Sequence, residues 1–390
     1  MLLAKIALLN LGFRPFFLGA AVFSVISIAA WMGIYIFGLP LSVGISYTQW
    51  HAHEMIYGFG VAVIAGFLLT AVKNWTGIPT LHGLGLLALF TLWALARILF
   101  ILGTPFILIA AIFDLSFILF LTGAVVYPIV KAKQFKKQFG IIGKLVFLTV
   151  GNIFFYLGVI GFVEQGMFLS LYGGLYMIIG LIMMMGRRVI PFFIEVGVGY
   201  PVKLFNSKAL DTAMLWLYLA FFIVEVFIAN HRLSALLSAG LFMMTSIRLI
   251  GWHTYGIWKK PLLWSLFVAF LFIDLGFLLI ALSPLVDLPR IRVIHAFSFG
   301  GIGIMTLSMM ARVTLGHTGR NIQNPPEAIT WAFMALIMGT VVRVILPLIA
   351  ADYYLVWIAI SQVLWISAFL IFVVVYASML IKPRIDGQFG

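Results

Sequence analysis

Stretches of about 20 apolar residues follow one another along the whole chain, separated by short segments that carry most of the charge. A helix of that length crosses a bilayer. Twelve such stretches can be placed, at residues 16–38, 50–72, 83–102, 106–130, 144–164, 168–186, 211–229, 232–250, 262–283, 293–312, 328–350 and 353–381. A membrane β-barrel would show short alternating segments instead. The pattern predicts an all-α fold, a polytopic transmembrane helix bundle of about twelve spans. No stretch between spans is long enough for a soluble domain, so residues 1–390 read as a single integral membrane domain.

The basic residues test this map. One set of loops holds Lys5 and Arg14, then Lys73, then Lys131, Lys133, Lys136, Lys137 and Lys144. Arg187, Arg188, Lys203 and Lys208 follow, in a loop at 187–210 that is the longest in the chain. Arg248, Lys259, Lys260, Arg312, Arg320, Lys382 and Arg384 complete the set. The opposite loops offer Arg232, Arg290 and Arg292. Positive charge gathers on the cytoplasmic side, which predicts that both termini are cytoplasmic. The apolar stretch after Met1 lacks a small-residue cleavage site and reads as an interfacial segment.

Composition agrees with the pattern. Hydrophobic residues make up 64% of the chain and charged ones 9%, against about 25% charged in a soluble domain. The net charge of +13 sets topology and calls for no nucleic-acid partner; the partner it implies is the lipid bilayer. Cys is absent, which excludes thiolate metal sites, disulfides and covalent haem attachment. Any metal must be held by His, Met, Tyr or carboxylates.

Ionisable residues inside a bilayer are costly and are the first functional candidates. Span two opens with Trp50-His51-Ala52-His53-Glu54-Met55, and span ten with Val293-Ile294-His295. Both run inward, so three His are expected near the outer surface. At about 100° per residue, His51 and His53 point to nearly opposite sides of a regular helix. His51 then shares a face with Glu54, and His53 with Tyr57. Two metals, or one metal and one hydrogen-bonded His, suit this better than one tripod. The glycines of Gly300-Gly301-Ile302-Gly303 permit close helix packing or leave room beside His295. At the inner surface lie Gly186-Arg187-Arg188, Arg248 with Trp252-His253, and Arg312 through Gly316-His317-Thr318-Gly319-Arg320. Arg97, Asp114, Glu164, Glu225, Asp274 and Arg343 are further charges in or near spans, which the sequence does not rank.

Taken together, several motifs carry a resemblance. They are Gly12-Phe13-Arg14-Pro15-Phe16-Phe17, Trp50-His51-Ala52-His53-Glu54-Met55, Asn74-Trp75-Thr76-Gly77, Gly186-Arg187-Arg188-Val189-Ile190-Pro191, His295 with its glycines, and Met309-Met310-Ala311-Arg312 with Leu315-Gly316-His317-Thr318-Gly319-Arg320. The sequence resembles the NnrS family of bacterial membrane proteins. That resemblance implies a twelve-span protein of the bacterial cytoplasmic membrane that binds haem and copper, with a role in nitric oxide metabolism, nitrosative-stress defence or denitrification. The haem would be b-type, as no Cys can attach it. His51, His53, His295 and His317 would be the main metal or haem candidates, with His253 as a further one. Arg14, Arg187, Arg188, Arg312 and Arg320 would support the cofactor. The family often carries a ninth-span His where this chain has Phe267.

Three functions follow as expectations. The first is an oxidoreductase that reduces nitric oxide with electrons from an undefined donor, with Glu54 and His51 carrying the chemistry. The second is a haem-binding sensor or scavenger of nitric oxide without turnover. The third is a twelve-helix transporter of a metal, haem or small molecule. The His near a surface, and the lack of a clear internal repeat, argue against the third.

Overall fold

The computed structural model describes residues 6–40, 44–286 and 288–390. The described residues are helical with no strand, and twelve helices are long and apolar enough to cross a membrane. They are α1 Phe13–Tyr35, α2 Tyr47–Thr76, α3 Gly83–Ile101, α4 Thr104–Lys131, α5 Phe135–Val159 and α6 Gly166–Gly197. The rest are α7 Lys208–Ile228, α8 His231–Trp252, α9 Pro261–Leu282, α10 Arg290–His317, α11 Ala328–Ile349 and α12 Ala351–Ile381. The hinge between α7 and α8 is real: Ala229 turns left-handed and the Asn230 side chain caps α8 at Leu233.

Two spans depart from their predicted limits. α5 begins at Phe135, so Lys136, Lys137 and Lys144 lie on helix rather than in a loop. α6 runs on to Gly197 through Pro191, so Arg187 and Arg188 also sit on helix and the longest loop shrinks to 198–207. A proline removes one backbone hydrogen bond. The helix continues because Ile190 and Ile194, one turn apart, are both buried on its inner face. The interfacial segment predicted after Met1 falls largely on residues 1–5, with Lys5, outside the described residues; Ala7–Leu9 form a short 3-10 turn.

The chain forms two compact units. The first takes Met1–Met177, Arg312–Asn321 and Phe369–Gly390; the second takes Ile178–Ala311 and Ile322–Ala368. The divisions fall inside α6, α10 and α12.

In the first unit α1 packs on α2, α3 on α4 and α4 on α5. The α1–α2 contact is close because Gly66 has no side chain: a Cβ there would meet the Phe17 ring at 2.7 Å. The same contact caps α1. Thr70 Oγ1 donates to the Gly66 carbonyl at 2.8 Å and accepts from the Phe13 N–H at 3.1 Å, one of the donors a helix start leaves open. In the second unit α7 packs on α8, α8 on α9, and α9 on the middle of α10.

Four spans contain a widened, π-helical segment: Glu54–Gly60 in α2, Val224–Ile228 in α7, Ala296–Gly303 in α10 and Val341–Ile345 in α11. Such segments are rare and are frequent at functional sites. Each here contains or adjoins an ionisable residue: Glu54, Glu225, His295 and Arg343.

Candidate functional site

The π-segment of α2 opens a fully buried polar cluster in the first unit. A capping box at Ser46 and Gln49 starts the helix, and one turn later His53 and Glu54 face inward, 0% and 1% exposed. His53 Nδ1 lies 3.0 Å from Glu54 Oε1, and its Nε2 lies 3.0 Å from Asn152 Oδ1. Arg97 of α3 bridges Glu54 and Asp114 of α4. Asp114 Oδ2 also accepts from Asn152 Nδ2 and from the Tyr156 hydroxyl, each at 3.0 Å. Phe155 stacks on the His53 ring with centroids 4.0 Å apart. Four helices therefore close over one arginine, two carboxylates and one histidine.

Hydrogen bonding fixes the proton inventory. Asp114 takes bonds from two donors besides Arg97, so the Asn152 amide nitrogen must face it and the amide oxygen must face His53. His53 Nε2 then carries a proton. Its Nδ1 faces a carboxylate oxygen, and a proton must lie between them, on one atom or the other. Arg97 contributes one positive charge and the ionised carboxylates two negative ones. The proton shared by His53 and Glu54 brings the cluster to neutrality, the condition under which buried charges persist.

His51 lies apart from this pair. Its ring stacks on Trp31, centroids 4.7 Å apart and planes within 7°. The expected partnership of Glu54 with His51 is replaced by Glu54 with its chain neighbour His53, while His51 turns to the Trp31 ring. His53 and Tyr57 do lie together, with centroids 5.1 Å apart. The Tyr57 hydroxyl donates to the Ser170 carbonyl at 3.1 Å and accepts from Ser170 Oγ at 2.9 Å.

A second group in the first unit is basic. Arg14 is 0% exposed. One of its terminal nitrogens donates to the carbonyls of Met379, Leu380 and Lys382, at 3.2, 2.7 and 2.8 Å. These are carbonyls that the end of α12 leaves open. Arg14 Nε and Nη2 are buried without a hydrogen bond. Arg320 and Arg384 act on Arg14, and Lys73, Arg14 and Arg384 act on His317. The His317 ring packs against Phe13 at 5.5 Å. Arg384 binds Asp386 through two hydrogen bonds of 2.9 and 2.5 Å. That contact pulls the exposed Asp386 carboxyl down to about 2.

The second unit holds the other candidates. His295 Nδ1 faces the Ile291 carbonyl at 2.6 Å, and Nε2 faces Arg343 Nη2 at 3.1 Å. A carbonyl only accepts and a guanidinium only donates, so His295 is neutral with its proton on Nδ1. Arg290 pairs with Glu225 and reaches His231. Arg187 and Arg248 share Asp211, and Arg188 is exposed. His253 accepts from Trp258 Nε1 at 3.1 Å, and Phe267 packs edge-on to it at 6.0 Å.

A family model described as NnrS protein matches residues 7–384, nearly the whole chain. The chain belongs to the NnrS family. Membership points to a nitric-oxide-related, multi-pass membrane protein. No curated protein matches it.

Set against what the NnrS resemblance implied, the candidate ligands divide. His53 has both nitrogens opposite acceptors and no lone pair to offer. His295 is in the tautomer a ligand needs, but Arg343 uses its lone pair. His317 has no hydrogen bond to its ring among the described residues, and its neighbour Arg14 has two open donors of the kind a carboxylate satisfies. The residues around His317 and Arg14 fit a haem in their chemistry: His317 would offer an imidazole and Arg14 would bind a propionate. Copper is different. Among the described residues, no three His, Cys, Asp or Glu side chains come together to hold a metal, so a copper ion here would have to draw on Met or Tyr as well. Phe267, where the resemblance implied a His, lies beside His253.

Arg97, Asp114, Asn152 and Tyr156 were missed as members of the cluster. The cost of burying Arg97 and Asp114 in spans was visible in the sequence. Which helix faces which was not.

Proposed function

We propose that this NnrS chain binds haem and consumes nitric oxide, by reduction, as a defence of the bacterial cytoplasmic membrane against nitrosative stress. The observation that carries the reading is the neutral, buried cluster in which His53 and Glu54 share one proton. Reduction of nitric oxide consumes protons as well as electrons: two NO, two electrons and two protons give nitrous oxide and water. In a membrane interior a proton must be stored on a side chain before it is used.

Bound haem would supply a redox-active iron at which nitric oxide binds. His317 would hold it from one side, and Arg14, with Arg312 and Arg320 nearby in sequence, would bind its carboxylates. The chain's own part is proton handling. Arg97 holds the Glu54 and Asp114 carboxylates. Asn152 orients the His53 ring by accepting from Nε2 while donating to Asp114. Glu54 then keeps the shared proton at His53 Nδ1, the one proton of the cluster whose loss leaves every other hydrogen bond intact. No step is assigned to copper.

The test is nitric oxide uptake by purified protein under anaerobic conditions with a chemical reductant, alongside haem content. Wild type should consume nitric oxide beyond one equivalent. Glu54→Gln and His53→Gln should keep haem and slow uptake, because the stored proton is no longer available. Tyr156→Phe, which removes only one bond to Asp114, should keep the wild-type rate. His317→Ala should lose haem. Uptake that stops at one equivalent in wild type would instead make the protein a binder or sensor.

A further inference from the structure

Among the described residues, four carboxylates are buried within spans: Glu54, Asp114, Glu225 and Asp274. The first three each have an arginine, since Arg97 serves Glu54 and Asp114, and Arg290 serves Glu225. Asp274, in α9 of the second unit, has none. Its Oδ2 accepts from Ser246 Oγ of α8 at 2.7 Å, and its Oδ1 is buried with no hydrogen bond. The side chain is 7% exposed.

Four charged or titratable groups on the elements around α9 have partners other than Asp274. Arg248 binds Asp211, Arg290 binds Glu225, Arg292 donates to the Pro347 carbonyl at 3.3 Å, and His295 bonds Arg343. On α9 itself the buried neighbours of Asp274 are apolar, among them Phe270, Ile273 and Phe277. An ionised carboxylate with a single hydroxyl partner would bear an uncompensated charge in apolar surroundings, which native structures avoid. A carboxylic acid at the same place is neutral, accepts at Oδ2 and carries its proton on Oδ1. A hard metal cation would need several oxygen ligands, and only Ser246 reaches Asp274.

The face of α8 supplies a second observation. Ser234, Ser238 and Thr245 lie four and seven residues apart, on one helical face. All three are buried, and their hydroxyls have no hydrogen bond. Hydroxyls in apolar spans normally find a partner. Thr245 adjoins Ser246, the residue that holds Asp274, and Ser238 and Ser234 lie about 10 and 16 Å further towards the His231 end of α8 at 1.5 Å per residue.

We propose that Asp274 is a proton-binding site of the second unit, a neutral intramembrane carboxyl held by Ser246 and served by the hydroxyls of α8. The site is separate from the His53–Glu54 pair and stands whether or not the protein reduces nitric oxide.

Dicyclohexylcarbodiimide, an apolar reagent, tests it. The carboxyl oxygen adds to the carbodiimide carbon and the carboxyl proton passes to one nitrogen. The adduct then rearranges to a stable N-acylurea with no atom lost. The expected result on purified full-length protein is one adduct, found by peptide mass spectrometry on α9, absent in Asp274→Asn, with Glu54, Asp114 and Glu225 unmodified. Infrared spectroscopy reads the proton without needing reagent access: a carbonyl band of a protonated carboxyl should vanish in Asp274→Asn. Either signal lost in that variant supports the site. Absence of both in folded wild type overturns it, as does labelling suppressed by sodium chloride but not by choline chloride, which would make Asp274 a metal-cation site.

Discussion

His53 and His295 occupy matching places in different units. Each stands at the start of a span, and a π-helical segment follows directly, Glu54–Gly60 after His53 and Ala296–Gly303 after His295. Their surroundings are opposite. His53 faces two acceptors, a carboxylate and an amide oxygen, so it is held where a proton is wanted. His295 faces a carbonyl on one side and the Arg343 guanidinium on the other, so it is held neutral. The same side chain, at the same kind of helical irregularity, stores a proton in one unit and accepts from a cation in the other. The lesson is that a His near the end of a span signals polar chemistry without saying which. The partners decide, and they come from other helices.

The largest effect on this contrast should come from Arg97, the arginine paired with Glu54 and Asp114. Arg97→Met leaves one buried negative charge without compensation and should cost about 3–5 kcal/mol, seen as a lowered melting temperature in detergent. An unchanged melting temperature would mean that the cluster is not charged as argued. Next is Gly151→Ala, whose Cβ would lie 2.6 Å from the Tyr57 hydroxyl. That clash should cost about 1–3 kcal/mol and disturb the Tyr57–Ser170 bonds. Arg343→Met should cost about 1–2 kcal/mol, for the hydrogen bonds to His295 and to the Tyr354 hydroxyl. It would also open the His295 lone pair, so the variant should bind added copper or zinc more tightly than wild type. Equal binding would show that Arg343 is not what occupies His295.

The smallest effect concerns Asp386, which lies outside the spans. Its carboxyl ordinarily titrates at 3.8 and here at about 2, through its bonds to Arg384. A carboxyl lowered on folding stabilises above its unfolded value and loses that contribution as pH falls through the folded one. The contact should therefore persist down to about pH 2. Because the pair is exposed, it is screened by salt, and Asp386→Asn should leave the melting temperature unchanged at neutral pH.

The twelve spans were legible because each is a local property: a run of apolar residues of bilayer length. Their limits failed where polarity and helix part company. Arg187 and Arg188 look like a loop but continue α6, since a helix end is set by backbone and burial rather than by charge. The pairing of Glu54 was misread for a related reason. Regular helical spacing joined it to His51, whereas in the fold it meets its chain neighbour His53, drawn inward by Asn152 and Phe155 of another helix. Arg97, Asp114 and Asn152 lie 43, 60 and 98 positions beyond Glu54 along the chain, and nothing local marks them as its neighbours. Their intramembrane charge was the available signal, and pairing one arginine with two acids was the inference to draw from it.

The contact between Arg14 and the end of α12 has a consequence for biosynthesis. Arg14 is synthesised well before the carbonyls it binds, which lie 365 to 368 positions later. At about 5–20 residues per second, those partners follow roughly 20–70 seconds behind. Throughout that interval α1 is inserted with a guanidinium that has yet to meet its final acceptors. The first unit can close only after α12 arrives, so this arginine reports the arrival of α12. A ribosome stalled before Met379 should leave a nascent protein whose N-terminal span is still accessible to protease, and addition of the last residues should abolish that sensitivity.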